Sequence, residues 1–359
     1  MPQKQESPLL EKHSFQRFKI GQSLTDVEVR LSPILRRKVQ HFLGDVCLLD
    51  ELLLSLQKIE TSMRKFQSLL IAGLLCCLSG KTQQLFYLPT SAPVAEDTER
   101  VVGEGNDKNI VGVVRPAVEV YLPAEEKRNG CAVILCPGGA LRALSWGNDV
   151  ERMAAFLNER GIAAIGLKYH LNSLPMPKGM KMPPTVDVTR IDYFPQADAN
   201  PLHFPEGDSI MLLAVEDART AMRFVRAHAE EWGIDANKVG FLGFSAGGGV
   251  AIAATILAEN EKERPDFLCT NYGPSLMPVS VPSPAPPLLV MTRADHPNVA
   301  AGSLALFLEW KKVGGNAELH VYGDGRGPYV LMEETGETTT ESWSRQFVLW
   351  LQAKGFIGK

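Results

Sequence analysis

The 359-residue sequence has no strong excess of charge of either sign. It contains 37 lysine and arginine residues and 41 aspartate and glutamate residues, which gives a formal net charge of -4 at pH 7. It also lacks a sustained run of lysine and arginine, so it does not have the charge pattern of a protein that binds nucleic acid or an anionic membrane. We therefore expect a small-molecule or carbohydrate substrate and no nucleic-acid partner.

Long hydrophobic runs are lacking as well. The most apolar stretch, Leu69 to Leu78, is shorter than the roughly 20 residues that a membrane-spanning helix needs. A basic segment that starts at Met63 precedes this stretch and small residues follow it, which is the pattern of a secretory signal peptide. We interpret residues 63–80 as a signal peptide and residues 1–62 as a non-native extension, with a buried hydrophobic helix as the alternative. The protein is then expected to be extracytoplasmic, either periplasmic or secreted, with no stable membrane insertion after signal removal.

Cysteine is scarce and does not cluster. Of the six cysteines, Cys131, Cys136 and Cys269 follow the predicted signal peptide, and three thiols cannot all pair with each other. The sequence has no Cys-x-x-Cys motif and no Cys/His cluster with the spacing of metal ligands. We expect no structural metal.

Strands and helices alternate along most of the chain. Residues 81–112 are interpreted as a loop-like lead-in and residues 113–359 as one α/β domain. Continuous apolar runs predict strands at Val118–Leu122, Cys131–Cys136, Ala163–Tyr169, Val239–Phe244, Phe267–Tyr272, Leu288–Met291 and Leu319–Tyr322. Amphipathic patterns predict helices at Val150–Glu159, Leu213–Trp232, Ala246–Leu257, Gly302–Val313 and Ser342–Lys354. This order predicts a mostly parallel sheet with helices on both faces, and residues 171–208, rich in proline and methionine, are interpreted as a short cap insertion.

The strongest motif follows the predicted strand at residues 239–244. The sequence Gly243-Phe244-Ser245-Ala246-Gly247 places a Gly-x-Ser-x-Gly motif between a strand and a helix, which is the setting of a nucleophile elbow. A sharp turn there would strain the backbone of Ser245 and lift its hydroxyl above the sheet. The amino end of the following helix would stabilise developing negative charge. We predict Ser245 as a nucleophile; a glycine-rich turn without a catalytic role is the alternative.

A second candidate segment follows the predicted strand at residues 131–136. Pro137-Gly138-Gly139-Ala140 lies where a strand-to-helix loop can donate backbone amides to a tetrahedral intermediate. The amide of Gly139 or Ala140, together with that of Ala246, would form this oxyanion site. A simple strand-to-helix turn is the alternative.

These motifs and several shorter ones resemble the secreted acetyl-esterase and acetylxylan-esterase-like branch of the α/β-hydrolases. In chain order, the matching segments are Cys-Pro-Gly-Gly-Ala at 136–140, Leu-Lys-Tyr at 167–169, Glu-Asp-Ala-Arg at 216–219, Trp-Gly-Ile-Asp at 232–235, the elbow at 243–248, Pro-Pro-Leu at 286–288 and Ala-Glu-Leu-His-Val-Tyr at 317–322. The resemblance implies an α/β-hydrolase fold and the removal of acetyl or similar acyl groups without a cofactor, often from plant polysaccharides. It also implies Ser245 as nucleophile, Asp295 as the acid of a catalytic triad, and the amides of Gly139 and Ala246 as oxyanion donors.

The triad histidine is missing where this resemblance places it. The loop after the last predicted strand has Gly327 at that position and Arg326 beside it. Arginine stays protonated and cannot act as a general base. His296, directly after Asp295, is the best replacement candidate, although neighbouring side chains usually diverge.

Other histidines fit the role of a base less well. His170 and His203 border the cap insertion, which is expected mainly to shape the substrate pocket. His320 is expected to pack within the last predicted strand, and His228 to lie on the surface of a helix.

Two classes of function therefore stay open. One is a serine carboxylic-ester hydrolase with an unusual or displaced base. The other is a degenerate α/β-hydrolase-fold protein that binds an acyl or carbohydrate ligand without turning it over. A serine peptidase is a third alternative, because several chemistries share the elbow and the fold does not choose between them.

Overall fold

The structure is a computed structural model that describes residues 83–93, 96–172, 198–201, 208–294, 299–323 and 338–358, together with Arg37, Leu331, Thr335 and Gly336. The predicted signal peptide and most of the predicted cap insertion lie outside these residues. So do Asp295, His296 and the loop that contains Arg326 and Gly327. The predictions made for them stay predictions.

The described residues form strands and helices close to those that the sequence predicts. The strands are β1 (Gln83–Tyr87), β2 (Arg100–Val102), β3 (Asn109–Val111), β4 (Ala117–Tyr121), β5 (Ala132–Cys136), β6 (Ala143–Leu144), β7 (Ala163–Lys168), β8 (Val239–Phe244), β9 (Leu268–Asn271), β10 (Leu288–Arg293) and β11 (Ala317–Tyr322). The helices are α1 (Met153–Glu159), α2 (Ser209–Ala227), α3 (Ala229–Trp232), α4 (Ala246–Ile256), α5 (Val299–Lys312) and α6 (Trp343–Ala353). A π-helical segment, Gly147–Arg152, leads directly into α1.

The large sheet has the strand order β1-β4-β7-β5-β8-β9-β10-β11 among the described residues. Its neighbours pair in parallel from β7 to β11, whereas β1 with β4 and β4 with β7 are antiparallel. Every residue of β5, β7 and β8 is buried, as expected for central strands covered on both faces. The prediction of a mostly parallel sheet flanked by helices is confirmed.

In the long helix α2, the helical spacing of small and apolar residues in the sequence corresponds to the buried face. Its amino end is capped by Asp208, whose side chain accepts hydrogen bonds from the amides of Ile210 and Met211. The small and apolar residues that recur at helical spacing are all buried, namely Ala214, Ala218, Ala221, Met222 and Val225. None of the helices in the described ranges is both long and apolar enough to cross a membrane.

The expectation that residues 81–112 form a loop-like lead-in is wrong. β1 adds an antiparallel strand to one edge of the large sheet, and β2 and β3 join β6 in a small antiparallel sheet. These strands lack the continuous apolar run by which the others were identified, because an edge strand exposes much of its surface. Leu85 and Tyr87 of β1, for example, are 45% and 50% exposed.

The parallel strands bring the candidate site together. Because β5, β7, β8, β9 and β10 run in the same direction, the residues after their carboxyl ends meet at one edge of the sheet. Cys136, at the end of β5, is paired with Gly243 of β8, and Phe244 is paired with Asn271 at the end of β9. Pro137 and Ser245 are therefore the first residues after two neighbouring strands.

Candidate active site

Ser245 occupies the sharp turn between β8 and α4. Its backbone has φ 49° and ψ -122°, a strained conformation for a residue with a side chain. The Ser245 amide donates a 3.1 Å hydrogen bond to the carbonyl of Asn271, and its own carbonyl accepts from the amides of Gly248 and Gly249. These contacts keep the turn attached to β9 and to the first turn of α4, and leave Ser245 half-buried at the edge of the sheet.

The glycine after the turn lets α4 begin against the end of β5. A Cβ atom added at Gly247 would lie 2.1 Å from the carbonyl oxygen of Cys136 and 2.4 Å from that of Pro137. No side chain fits in that space. The packing explains why the motif needs glycine here, and it places the start of the helix beside the Pro137 segment.

The segment after β5 passes directly against Ser245. A Cβ atom added at Gly138 would lie 3.1 Å from the Cβ atom of Ser245. The next three residues all have positive φ, with values of 137° at Gly139, 55° at Ala140 and 59° at Leu141. We call residues 137–145 the oxyanion loop, after the role that the sequence predicts for its amides; it runs beside Ser245 on a backbone that is folded back on itself.

Carbonyl groups of the oxyanion loop bond to amides within the same loop. The carbonyl of Gly139 accepts hydrogen bonds from the amides of Arg142 and Ala143, at 3.0 and 3.1 Å. The amides of Gly139, Ala140 and Ala246 donate to no other residue in the described part of the chain. Donors of this kind, close to a nucleophile, are what an oxyanion site requires. The assignment of these three amides as oxyanion donors stays a prediction.

Two contacts tie the oxyanion loop to the end of β7. The hydroxyl of Tyr169 donates a 2.6 Å hydrogen bond to the carbonyl of Pro137, and the amide of Asn172 donates to the carbonyl of Leu141 at 2.8 Å. Tyr169 is fully buried, and burial raises the pKa of its hydroxyl well above the ordinary value. Tyr169 is therefore a neutral hydrogen-bond donor, and it supports the loop from the neighbouring strand.

A buried carboxylate also contacts this loop, and sequence reasoning missed it. Asp149, on the π-helical segment before α1, accepts a 2.8 Å hydrogen bond from the amide of Gly138. Burial raises the pKa of Asp149 to about 7, although the hydrogen bonds from Gly138 and from the Ser145 side chain act in the opposite direction. A carboxylate next to an apolar helix pattern was a weak signal in the sequence, because acidic residues at helix starts usually interact with the helix dipole.

His170 forms a buried pair with Asp217 of α2. Its Nδ1 atom lies 2.7 Å from Oδ2 of Asp217, and its backbone amide donates to the same oxygen at 2.8 Å. Burial lowers the pKa of His170, but the hydrogen bond and the charge of Asp217 reverse this effect, so the net shift is upward. A histidine held in this way is positioned by Asp217, and the structure gives it no hydrogen bond to Ser245.

The other described histidines have partners away from Ser245. His320 of β11 bonds to Glu318 of the same strand, with 2.8 Å between Nε2 and Oε1. His228, at the end of α2, is half-buried rather than on the open surface; its Nδ1 lies 2.9 Å from the carbonyl of Phe224, and its ring stacks on Trp232. The structure describes no histidine bonded to Ser245, and His296 and His203 lie outside its described ranges.

Comparisons with known sequences agree with this geometry. A BD-FAE family model matches residues 199–276, which include the elbow. An acetylxylan esterase of Xylanibacter ruminicola is 28% identical over 152 residues, or 42% of this chain. The matched stretch spans only 24% of the length of that relative.

Solved structures share the fold at low sequence identity. The carboxylesterase Cest-2923 of Lactobacillus plantarum has a TM-score of 0.51 and 14% identity, covering 74% of this chain and 100% of that one. MGS-M1, an α/β hydrolase enzyme from a Medee basin deep-sea metagenome library, has a TM-score of 0.50 and 16% identity, covering 76% of this chain and 98% of that one. These similarities show that the chain has the α/β-hydrolase fold. The predicted α/β-hydrolase fold is therefore confirmed.

The part of the candidate site that contains Ser245 and residues 137–145 lies within the described residues. The structure places Gly138 beside Ser245 and Gly247 beside Pro137, so the segments that contain Gly139 and Ala246 are neighbours. Asp295 and the candidate base His296 follow β10 in the sequence but lie outside the described residues. Their roles are not tested by the geometry.

Proposed function

We propose that this protein is a serine carboxylic-ester hydrolase that removes an acetyl or similar small acyl group from a carbohydrate or another small ester. The observation that carries the proposal is the strained backbone of Ser245 beside the oxyanion loop. Strained non-glycine residues of this kind concentrate at active sites, because the surrounding structure must maintain them. The similarity to an acetylxylan esterase supports the choice of acyl group.

The proposed reaction has two steps. The hydroxyl oxygen of Ser245 attacks the ester carbonyl carbon and gives its proton to a base, while the carbonyl oxygen becomes an oxyanion that the amides of Gly139 or Ala140 and of Ala246 stabilise. The intermediate then expels the alcohol, which takes up a proton, and leaves an acyl group on the serine. Water attacks this acyl-enzyme, releases the carboxylic acid and restores Ser245.

We propose His296 as the general base, with Asp295 as the acid of the triad. Both residues follow β10, whose carboxyl end lies at the same edge of the sheet as Ser245. None of the described histidines, His170, His228 and His320, has a hydrogen bond to Ser245, which supports a base outside the described residues.

The proposal is tested by the hydrolysis of p-nitrophenyl acetate by the full chain. Ser245→Ala should lower the rate by about four orders of magnitude or to background, because it removes the atom that forms the acyl-enzyme. Ser303→Ala is the matched control: its buried hydroxyl has no partner in the described part of the chain, so its loss should leave the rate unchanged. A Ser245→Ala variant that keeps the wild-type rate would contradict the proposal.

A second function, ligand binding without turnover, is favoured by the glycine at position 327 in place of the triad histidine. In that case wild-type hydrolysis should stay near background, and Gly327→His should raise it. An acetylated xylo-oligosaccharide should still bind, as measured by calorimetry. Strong wild-type turnover that is lost in His296→Ala would rule out this second function and identify the base.

A further inference from the structure

Asp149 and Ser245 both lie beside Gly138 of the oxyanion loop. A Cβ atom added at Gly138 would lie 3.1 Å from the Cβ atom of Ser245 and 3.4 Å from Oδ2 of Asp149. The carboxylate and Ser245 thus both lie next to Gly138. The hydrogen bond from the Gly138 amide directs the carboxylate to the backbone of the loop.

The backbone amide and the backbone carbonyl of Gly138 both bond to a short network formed by Asp149 and Ser145. Its amide donates to Asp149 at 2.8 Å, and its carbonyl accepts from the amide of Ser145 at 2.9 Å. Ser145 also bonds back to Asp149: its carbonyl accepts from the Asp149 amide at 3.0 Å, and its side chain bonds to the carboxylate. The Gly138 carbonyl shares one peptide plane with the Gly139 amide, and the Gly139 carbonyl shares the next plane with the Ala140 amide. Fixing Gly138 therefore limits the directions in which both amides can point.

The cost of this arrangement suggests a role beyond packing. Asp149 is only 3% exposed and faces no cation among the groups that act on it. Burying a carboxylate without a cation is unfavourable, and an apolar side chain could fill the same space without this desolvation penalty. Asp149 also lies on a π-helical turn, a distortion that is frequent at functional sites.

We propose that Asp149 is a positioning residue for ester hydrolysis: its carboxylate accepts the Gly138 amide and so turns the amides of Gly139 and Ala140 toward the developing oxyanion. This inference rests on the proposed function. It adds to that function a residue that does not touch the substrate and acts only through the oxyanion loop. Since the oxyanion forms in the transition state, the effect belongs in kcat rather than in KM.

The test compares three variants of the full chain by their kcat and KM for p-nitrophenyl acetate. Asp149→Leu removes the acceptor while filling most of the space, and kcat should fall about 100-fold with KM within about threefold, as for the loss of one oxyanion donor. Asp149→Asn keeps an acceptor oxygen for Gly138 and should stay within about fivefold of the wild type. Thr255→Val, which removes a buried hydrogen bond in the last turn of α4, controls for general destabilisation and should leave kcat unchanged.

A second readout uses an aryl fluorophosphonate, which bonds to a serine oxygen through phosphorus with loss of fluoride. Its rate of labelling at Ser245, followed by intact mass, should fall in Asp149→Leu in parallel with kcat. Wild-type turnover with an unchanged kcat in Asp149→Leu, or a loss as large in Asp149→Asn, overturns the positioning role alone. Absence of both turnover and labelling in the wild type overturns the proposed function and this inference with it.

Discussion

Two buried aspartates, Asp149 and Asp217, hold the ends of neighbouring parallel strands in the same way. Each accepts a 2.8 Å hydrogen bond from a backbone amide, Gly138 for Asp149 and His170 for Asp217. In both cases the donor is the second residue after a strand, β5 or β7. Amides at this position have left the hydrogen-bonding pattern of the sheet, so a side chain must satisfy them.

The two aspartates differ in their second partner. Asp217 faces the imidazole of His170, which can carry a positive charge, whereas Asp149 faces the neutral side chain of Ser145. Burial raises the pKa of both carboxyl groups, but the hydrogen bonds and the charge of His170 oppose this shift for Asp217, whereas only neutral hydrogen-bond donors oppose it for Asp149. The difference indicates that Asp217 contributes mainly to stability, while Asp149 is kept at a cost in stability.

The largest expected difference between Asp217 and Asp149 is in the stability that is lost when each side chain is removed. Asp217→Ala should lower the free energy of unfolding by about 3 to 5 kcal/mol, because it leaves the imidazole and amide of His170 buried and unpaired. Asp149→Ala should cost only about 1 to 3 kcal/mol, since it leaves one amide and one hydroxyl without an acceptor. Urea denaturation of the full chain at pH 7 measures both values, and equal losses would contradict the comparison.

The stability of the wild type should depend on pH through Asp149. Its pKa in the folded protein, about 7, exceeds the ordinary value of 3.8, so its contribution is fully present below pH 3.8 and is lost as the pH rises through 7. Tyr169, which interacts with the charge of Asp149, stays neutral over this range because burial raises its pKa. Between pH 5 and pH 7 the wild type should lose about 2 kcal/mol relative to Asp149→Asn, which cannot ionise.

Urea titrations of both proteins at several pH values provide the measurement. The difference between the two proteins isolates Asp149 from the other groups that titrate in the same range. Parallel curves for the wild type and Asp149→Asn would show that the carboxyl does not ionise near neutral pH.

The smallest expected change in stability concerns Ser145, the neutral partner of Asp149. Ser145→Ala should cost about 1 kcal/mol at pH 8, where Asp149 is charged, and less at pH 5, because hydrogen bonds to an ionised acceptor are stronger. Ser342→Ala removes a hydroxyl that bonds to the Thr339 carbonyl at an exposed site, and should change stability by less than about 0.5 kcal/mol. A pH-independent cost for Ser145→Ala would argue against a charged Asp149.

Local patterns predicted much of the fold and the nucleophile side of the site. The predicted bounds of β8 are identical to those in the structure, and those of α4 differ by one residue. Both elements were predictable because a buried strand and a glycine-rich turn each depend on residues that are consecutive in the sequence. β1 was missed because its register depends on β4, which lies thirty residues further along the chain. Asp149 was missed because its importance depends on a hydrogen bond to Gly138, eleven residues away across a turn.

The sequence by itself determined the order of the buried strands and the position of Ser245 in a tight turn, since apolar runs and glycine spacing act through short-range sterics and burial. Only the tertiary structure decided the partners of the buried polar groups. His170 meets Asp217 across 47 residues of chain, and burial within the folded protein raises the pKa of Asp149. Hydrogen-bond partners and dielectric surroundings are properties of the folded neighbourhood, because segments distant in the chain supply them.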